Sequence, residues 1–153
     1  MSDSRSVAVL GLGAMGHAFA TNLLKADFEV TVWNRSADKA GDLVEAGARL
    51  ADSPADAVAQ AQAVILMLPD LAVTRDVLLG DSGALAAMPE GATLIQMGTL
   101  GVAETDRLIA EADDARDDIV FIDAPVSGTK APAEQGKIAI LASGDRERAA
   151  AVV

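Results

Sequence analysis

Cysteine is absent, and histidine occurs once, at His17. Disulfides, thiolate nucleophiles and cysteine-ligated metals are thereby excluded, and a lone imidazole cannot build a histidine metal cluster. Tyrosine is also absent and aromatics reach only 3%, so a core has to be assembled from Ala, Val, Leu and Ile. No apolar run approaches the roughly 18 residues of a membrane span, and the polar start, residues 1–6, lacks the apolar centre of a signal peptide. A cytoplasmic location is the default that follows. Basic residues are outnumbered 12 to 23, giving a net charge of -11, which opposes long-range attraction to nucleic acid or anionic lipid. An anionic ligand must therefore be held by local groups, while the scattered acidity itself serves solubility.

What is present is a single domain's worth of alternating elements over residues 1–153. Short apolar runs at 7–10, 29–33, 63–68, 92–97, 119–122 and 138–141 suit strands buried on both faces. Helical patterns lie between them. Residues 14–26 place Met15, Phe19 and Leu23 on one face, and 37–46 is bracketed by Ser36 and Gly47 as an N-cap and C-cap pair. Ser53-Pro54 starts another helix, and 71–79 and 102–112 complete the set. Strands alternating with helices predict an α/β fold: a Rossmann-type, doubly wound, mainly parallel sheet covered on both faces. The acidic stretch 111–118 reads as a solvated helix end and loop. Gly144-Asp145 reads as the start of a helix over 146–153 with no stop signal, as in a piece of something longer.

Gly11-Leu12-Gly13-Ala14-Met15-Gly16 is a G-x-G-x-x-G placed directly after the first strand and opening the first helix. Context makes this common pattern specific. Gly11 permits the tight turn, Gly13 leaves no Cβ where a pyrophosphate approaches the backbone, and Gly16 lets the helix pack closely. The helix start then offers free N–H groups and a positive dipole end to the diphosphate.

The end of the second strand selects the dinucleotide. An acidic residue there would accept from the ribose 2′-hydroxyl of NAD. The sequence instead reads Trp33-Asn34-Arg35-Ser36: Arg35 brings a guanidinium fork, and Asn34 and Ser36 bring short polar groups, a set suited to the 2′-phosphate of NADP(H). Trp33 is expected beside the adenine pocket or the sheet edge, and His17 on the first helix is expected to be a packing or surface residue.

Ligands of open α/β sheets sit beyond the carboxyl ends of the strands. Leu68-Pro69-Asp70 and Gly98-Thr99 occupy two such ends, with Thr99 able to hydrogen-bond a ribose or a nicotinamide amide. Asp123-Ala124-Pro125-Val126-Ser127-Gly128-Thr129-Lys130 follows a third. That loop either grips a carboxylate through backbone N–H groups and Ser127, or is an ordinary turn. Asp123 itself is expected to be structural.

Taken in order, Gly-Leu-Gly-x-Met-Gly, Val-Thr-Val-Trp-Asn-Arg, Met-Leu-Pro-Asp, Met-Gly-Thr and Asp-Ala-Pro-Val-Ser-Gly resemble the β-hydroxyacid dehydrogenases across residues 7–142. The run from Ser127 to Gly136 looks most like the glyoxylate and succinic semialdehyde reductase branch, whose members use NADPH. The resemblance implies that residues 11–16 hold the pyrophosphate, Asn34, Arg35 and Ser36 the 2′-phosphate, Leu68 and Pro69 the adenosine side, and Thr99 the nicotinamide ribose. It further implies that Ser127 and Gly128 bind a small substrate carboxylate, with Thr129 standing where the family has a second glycine.

In the family a lysine on a long helix after the nucleotide domain is the acid, and an all-helical domain closes the cleft and makes the dimer. None of Lys25, Lys39, Lys130 or Lys137 lies in that lysine's motif, so no catalytic residue is carried over. The sequence is accordingly expected to be the NADP-binding part of a longer, oligomeric reductase whose C-terminal helical domain is missing here, and to be inactive alone. An imine reductase and a non-catalytic dinucleotide sensor are the competing expectations.

Overall fold

Strands and helices alternate along most of the chain. The computed structural model describes residues 5–145 and 147. In order they form β1 (Ser6–Leu10), α1 (Ala14–Lys25), β2 (Glu29–Trp33), a 3-10 turn (Ala37–Ala40) running into α2 (Gly41–Glu45), β3 (Arg49–Leu50) and α3 (Pro54–Val58). Then come β4 (Ala63–Leu66), α4 (Leu71–Leu79), α5 (Ala84–Ala87), β5 (Thr93–Gln96), α6 (Val102–Ala115) and β6 (Val120–Asp123). A terminal portion adds β7 (Val126–Ser127), α7 (Lys130–Glu134), β8 (Ala139–Ile140) and β9 (Ser143–Gly144).

The main sheet has the order β3-β2-β1-β4-β5-β6-β9, parallel except for β9, which runs antiparallel to β6. This is the expected doubly wound sheet. Its strand order reverses between β1 and β4, and at such a switch point the loops part to leave a crevice. Because successive side chains alternate sides, each central strand feeds two cores. Ala8, Leu10, Val64, Leu66 and Leu94 pack with Val58, Leu78, Leu85 and Leu108 on one face. Val7, Val9, Val30, Val32 and Ile122 pack with Ala20 and Leu43 on the other. Each fully buried leucine contributes roughly 1.5–3 kcal/mol, so aliphatic packing replaces the missing aromatics. Trp33 is half-buried at the rim of the first core.

Local signals set the helix ends. Ser53 Oγ accepts from the Asp56 N–H (3.0 Å) with Pro54 in the first turn of α3, and Asp70 Oδ1 accepts from the Val73 N–H (2.9 Å) to cap α4. Gly47 follows α2 at φ 113°, as its C-terminal role requires. Ser36 makes no side-chain cap. Its carbonyl instead accepts from the Lys39 N–H (3.2 Å), tightening the first turn, so the expected helix 37–46 divides into two short pieces.

On α1 Phe19 and Leu23 pack together against the second core, partly buried, and the buried residues are Gly16, Ala18 and Ala20, because the helix lies so close to the sheet that only small side chains fit beneath it. Two further expectations are corrected. The run 138–141 adds no strand to the main sheet. Gly136 (φ 67°) reverses the chain and β8 pairs antiparallel with β7, leaving Ile140 and Leu141 exposed. Gly144 lies in β9 at φ 158° rather than starting a helix, and the rest of the helix expected over 146–153 falls outside the described residues except for Glu147.

The acidic stretch 111–118 is in part paired. Glu111 binds Arg75 (2.7 Å) and Arg107 (3.1 Å), locking α6 against α4. Arg116 holds Asp118 (2.6 Å) while donating to the Leu85 and Met88 carbonyls, and Asp118 accepts the Gly91 N–H. That guanidinium keeps the Asp118 carboxyl far below the usual carboxylate range.

Candidate functional site

Gly11 ends β1 at φ 102°, and its N–H donates to the Trp33 carbonyl (2.9 Å). A Cβ at Gly11 would run into the Met67 carbonyl, and one at Gly16 into the Gly11 carbonyl. Both glycines are thus required by backbone-to-backbone contact: the first by β4's extension, the second by the turn it rests on. Gly13 differs. A Cβ there meets nothing within 4 Å, so the space beside it is open. Gly13 is also the N-cap of α1, which has no side-chain cap and no acidic residue in its first turn. Leu12 is buried behind the turn, while Ala14 and Met15 begin the helix. An open face, uncapped N–H groups and a helix dipole together fit a diphosphate.

Asn34 braces the glycine corner. Its Oδ1 accepts from the Leu12 N–H (2.9 Å) and its Nδ2 donates to the Ser36 carbonyl (3.0 Å). One hydrogen bond at each end of the amide ties the glycine corner to the loop after β2, and the second Nδ2 hydrogen is not used by these bonds. Arg35 and Ser36 are exposed, and among the described residues Arg35 has no ion-pair or hydrogen-bond partner. Lys39, not singled out from the sequence, is also exposed and is returned toward Ser36 by the tight turn.

Leu68 is buried and Pro69 exposed where β4 gives way to α4. Gly98 is buried against this turn: its Cβ would lie 2.7 Å from the Leu68 carbonyl. Leu68 Cδ2 would in turn lie 3.0 Å from a Cβ on Gly11, so the corners after β1, β4 and β5 are in mutual contact. Thr99 stands exposed at the top of the third. Beneath it Gln96 is fully buried, with Nε2 donating to the Gly98 carbonyl (3.2 Å). The only sequence signal for Gln96 is one amide inside an apolar run.

Ser127, Gly128 and Thr129 are exposed beyond β6. Ser127 pairs with Ala139 in the β7–β8 ribbon, and Gly128 takes φ 146° with its α-carbon against Ile138. Thr129 precedes α7 without capping it. Among the described residues no hydrogen bond joins these three to the glycine corner. Their link is through α7, which packs on α1 and accepts Asn22 Nδ2 at the Ala133 carbonyl (2.7 Å). His17 does have a partner: Nε2 lies 2.7 Å from Asp42 Oδ2, joining α1 to α2 and lowering the Asp42 carboxyl. Asp123, half-buried at the end of β6, has its carboxyl raised above the ordinary value by burial. Among the described residues no His/Asp/Glu cluster suits a metal ion, and no helix is long and apolar enough to cross a membrane.

Comparison with known proteins agrees with this geometry. The chain is 44% identical over 140 residues to glyoxylate/succinic semialdehyde reductase 1 of Arabidopsis thaliana, covering 92% of this chain and 48% of that protein. It superposes on Mycobacterium tuberculosis 3-hydroxyisobutyrate dehydrogenase with a TM-score of 0.87 at 29% identity, covering 95% of this chain and 48% of that one. An imine reductase from Pseudomonas sp. is also similar, with a TM-score of 0.80 at 34% identity, covering 95% of this chain and 49% of that one. The chain thus spans about half the length of the relatives it matches. Residues 6–153 match the family described as the NAD binding domain of 6-phosphogluconate dehydrogenase, and the chain belongs to that nicotinamide-dinucleotide-binding family.

Proposed function

We propose that this chain is the NADP(H)-binding domain of an oxidoreductase that passes hydride between NADP(H) and a small hydroxy acid, semialdehyde or keto acid. The observation that carries the reading is Arg35, which follows β2 with no ion-pair or hydrogen-bond partner among the described residues and with no carboxylate in the position that would accept from a 2′-hydroxyl, together with the open space beside Gly13.

The N–H groups at the start of α1 receive the diphosphate, with Leu12, Ala14 and Met15 lining the corner between the glycines. Arg35 binds the 2′-phosphate in a charge-assisted fork, with Ser36 and Lys39 as further donors, while Asn34 fixes the loop that presents them. Leu68 and Pro69 border the adenosine, and Thr99 holds the nicotinamide ribose. Ser127, Gly128 and Thr129 grip the substrate carboxylate. When bound, NADP(H) supplies the hydride; the chain's own residues bind, orient and exclude water. No residue here takes the role of acid, so the chain alone is expected to bind cofactor and turn over nothing measurable. The reading adopts a cytoplasmic, homo-oligomeric whole enzyme.

Fluorescence titration with NADPH and NADH tests the reading. The chain should prefer NADPH, and Arg35→Ala should lose about 10- to 100-fold in NADPH affinity, the worth of a charged hydrogen bond, with NADH nearly unchanged. Equal binding of both nucleotides by the unmodified chain would overturn it. The imine reductase likeness favours a second reading, reduction of C=N bonds. A ternary complex formed with small carboxylates and abolished by Ser127→Ala would decide against it.

A further inference from the structure

The loop that carries Arg35 and Lys39 has little of its own to hold it in shape. After β2 it runs through Asn34, Arg35 and Ser36 into the 3-10 turn and then the short helix α2. Neither piece is capped: Ser36 and Ala40 stand at the two N-cap positions without a side-chain hydrogen bond. Helical pieces this short do not stand alone in water, so tertiary contacts set their position. Inward, Ala40 and Leu43 are buried in the second core. Outward, Arg35, Ser36, Asp38 and Lys39 are exposed.

Two polar contacts tie this segment sideways to the start of α1. At its near end Asn34 Oδ1 accepts from the Leu12 N–H (2.9 Å). At its far end His17 Nε2 lies 2.9 Å from Asp42 Oδ1 and 2.7 Å from Asp42 Oδ2. His17 stands in the first turn of α1, where its own N–H donates to the Gly13 carbonyl (2.9 Å). The two anchors thus fall on either side of Gly13. The partner settles the direction of the second contact: an ionised carboxylate only accepts, so Nε2 carries the hydrogen. That hydrogen bond in turn keeps the Asp42 carboxyl below its ordinary range.

We infer that His17 and Asp42 form a clasp that sharpens cofactor selectivity: by fixing α2 to the first turn of α1, it holds the loop of Arg35, Ser36 and Lys39 in place beside the glycine corner for a nucleotide whose ribose bears a 2′-phosphate. This deepens the NADP(H) reading above and rests on it. Both are positioning residues, acting through the loop that ends at Asp42. A charged fork has to be pre-placed, because every loop conformation that misses the phosphate lowers the binding-competent fraction, and affinity falls in the same proportion. NADH has no 2′-phosphate for Arg35 to bind, so the clasp adds nothing to its affinity. The two side chains are 34% and 66% exposed, which sets the clasp's worth at that of a surface contact.

The test titrates the 153-residue chain with NADPH and with NADH. His17→Ala and Asp42→Ala should each weaken NADPH about three- to fivefold, the upper worth of an exposed ion pair, and leave NADH within about 1.5-fold. His17→Gln, whose Nε2 can donate to the same carboxylate, should keep NADPH affinity within about 1.5-fold of the unmodified chain. The double variant His17→Ala with Asp42→Ala should bind NADPH no more weakly than either single one. Circular dichroism should be the same for all of them, since neither side chain is buried and alanine favours a helix. Equal losses for both nucleotides would make the pair a structural brace and overturn the inference. So would losses for neither, a gain of NADPH affinity in Asp42→Ala, His17→Gln as weak as His17→Ala, or additive losses in the double variant. Equal affinity of the unmodified chain for NADPH and NADH would instead overturn the cofactor reading on which the clasp stands.

Discussion

Adding one methyl group to Gly13 and one to Gly16 should have opposite consequences, although the residues are three apart in one turn. At Gly13 a Cβ meets nothing within 4 Å, and the backbone (φ -65°, ψ -173°) is open to alanine. Reduced freedom of the unfolded chain favours Gly13→Ala by about 0.4–1 kcal/mol, and the poorer helix-capping of alanine offsets a similar amount. Stability should stay within about 1 kcal/mol. The methyl does, however, occupy the space the diphosphate needs, and displacing even one charged hydrogen bond costs about 1.5–3 kcal/mol. NADPH affinity should therefore fall about 100-fold. At Gly16 the methyl is driven into the Gly11 carbonyl, in a residue that is itself packed closely against the Met67 backbone, so overpacking should cost about 3 kcal/mol of stability. Urea unfolding followed by circular dichroism gives the first quantity and nucleotide fluorescence the second. A Gly13→Ala chain that binds NADPH normally, or a Gly16→Ala chain that is fully stable, would refute the assignment of open and closed sides in this corner.

Other outcomes follow from the caps and carboxylates. Ser53→Ala removes the acceptor for the Asp56 N–H and should lower stability by about 1 kcal/mol in urea unfolding. The folded Asp118 carboxyl titrates below its ordinary value of 3.8, so it stabilises the fold at neutral pH and that contribution is lost as pH falls through the lowered value. Asp118→Asn should accordingly lower Tm at pH 7, with the gap to the unmodified chain closing in strong acid. Asp123 has the opposite sign: its folded value is raised, so ionisation above pH 3.8 works against the folded state. Asp123→Asn should melt higher than the unmodified chain at pH 7 and at the same temperature well below pH 3.8.

The legible parts of this molecule were those in which local sequence and tertiary role coincide. Gly11, Gly13 and Gly16 declare a strand-to-helix corner because backbone conformation and spacing are written in consecutive residues. Ser53 and Gly47 mark helix ends for the same reason. The bracing role of Asn34 was not legible, because nothing in Trp33-Asn34-Arg35 shows that the Leu12 N–H stands opposite it, 22 positions earlier. The run 138–141 has the apolarity of a buried strand, yet it pairs with the short β7 rather than with the main sheet, a choice set by Gly136 and by the packing of α7 on α1. Gln96 was hidden by its neighbours: within an apolar strand an amide reads as an exception, and its partner is the Gly98 carbonyl beyond the strand's end.

The central claim is that a dinucleotide lies across the corner after β1 and reaches the end of β2. Amide NMR of the chain, with and without NADPH, tests it directly. The account predicts shifts concentrated at Gly11 to Gly16, Arg35 and Thr99. Shifts gathered instead around the cleft at the amino ends of the strands, lined by Ser6, Glu29, Arg49 and Gln60, would contradict it.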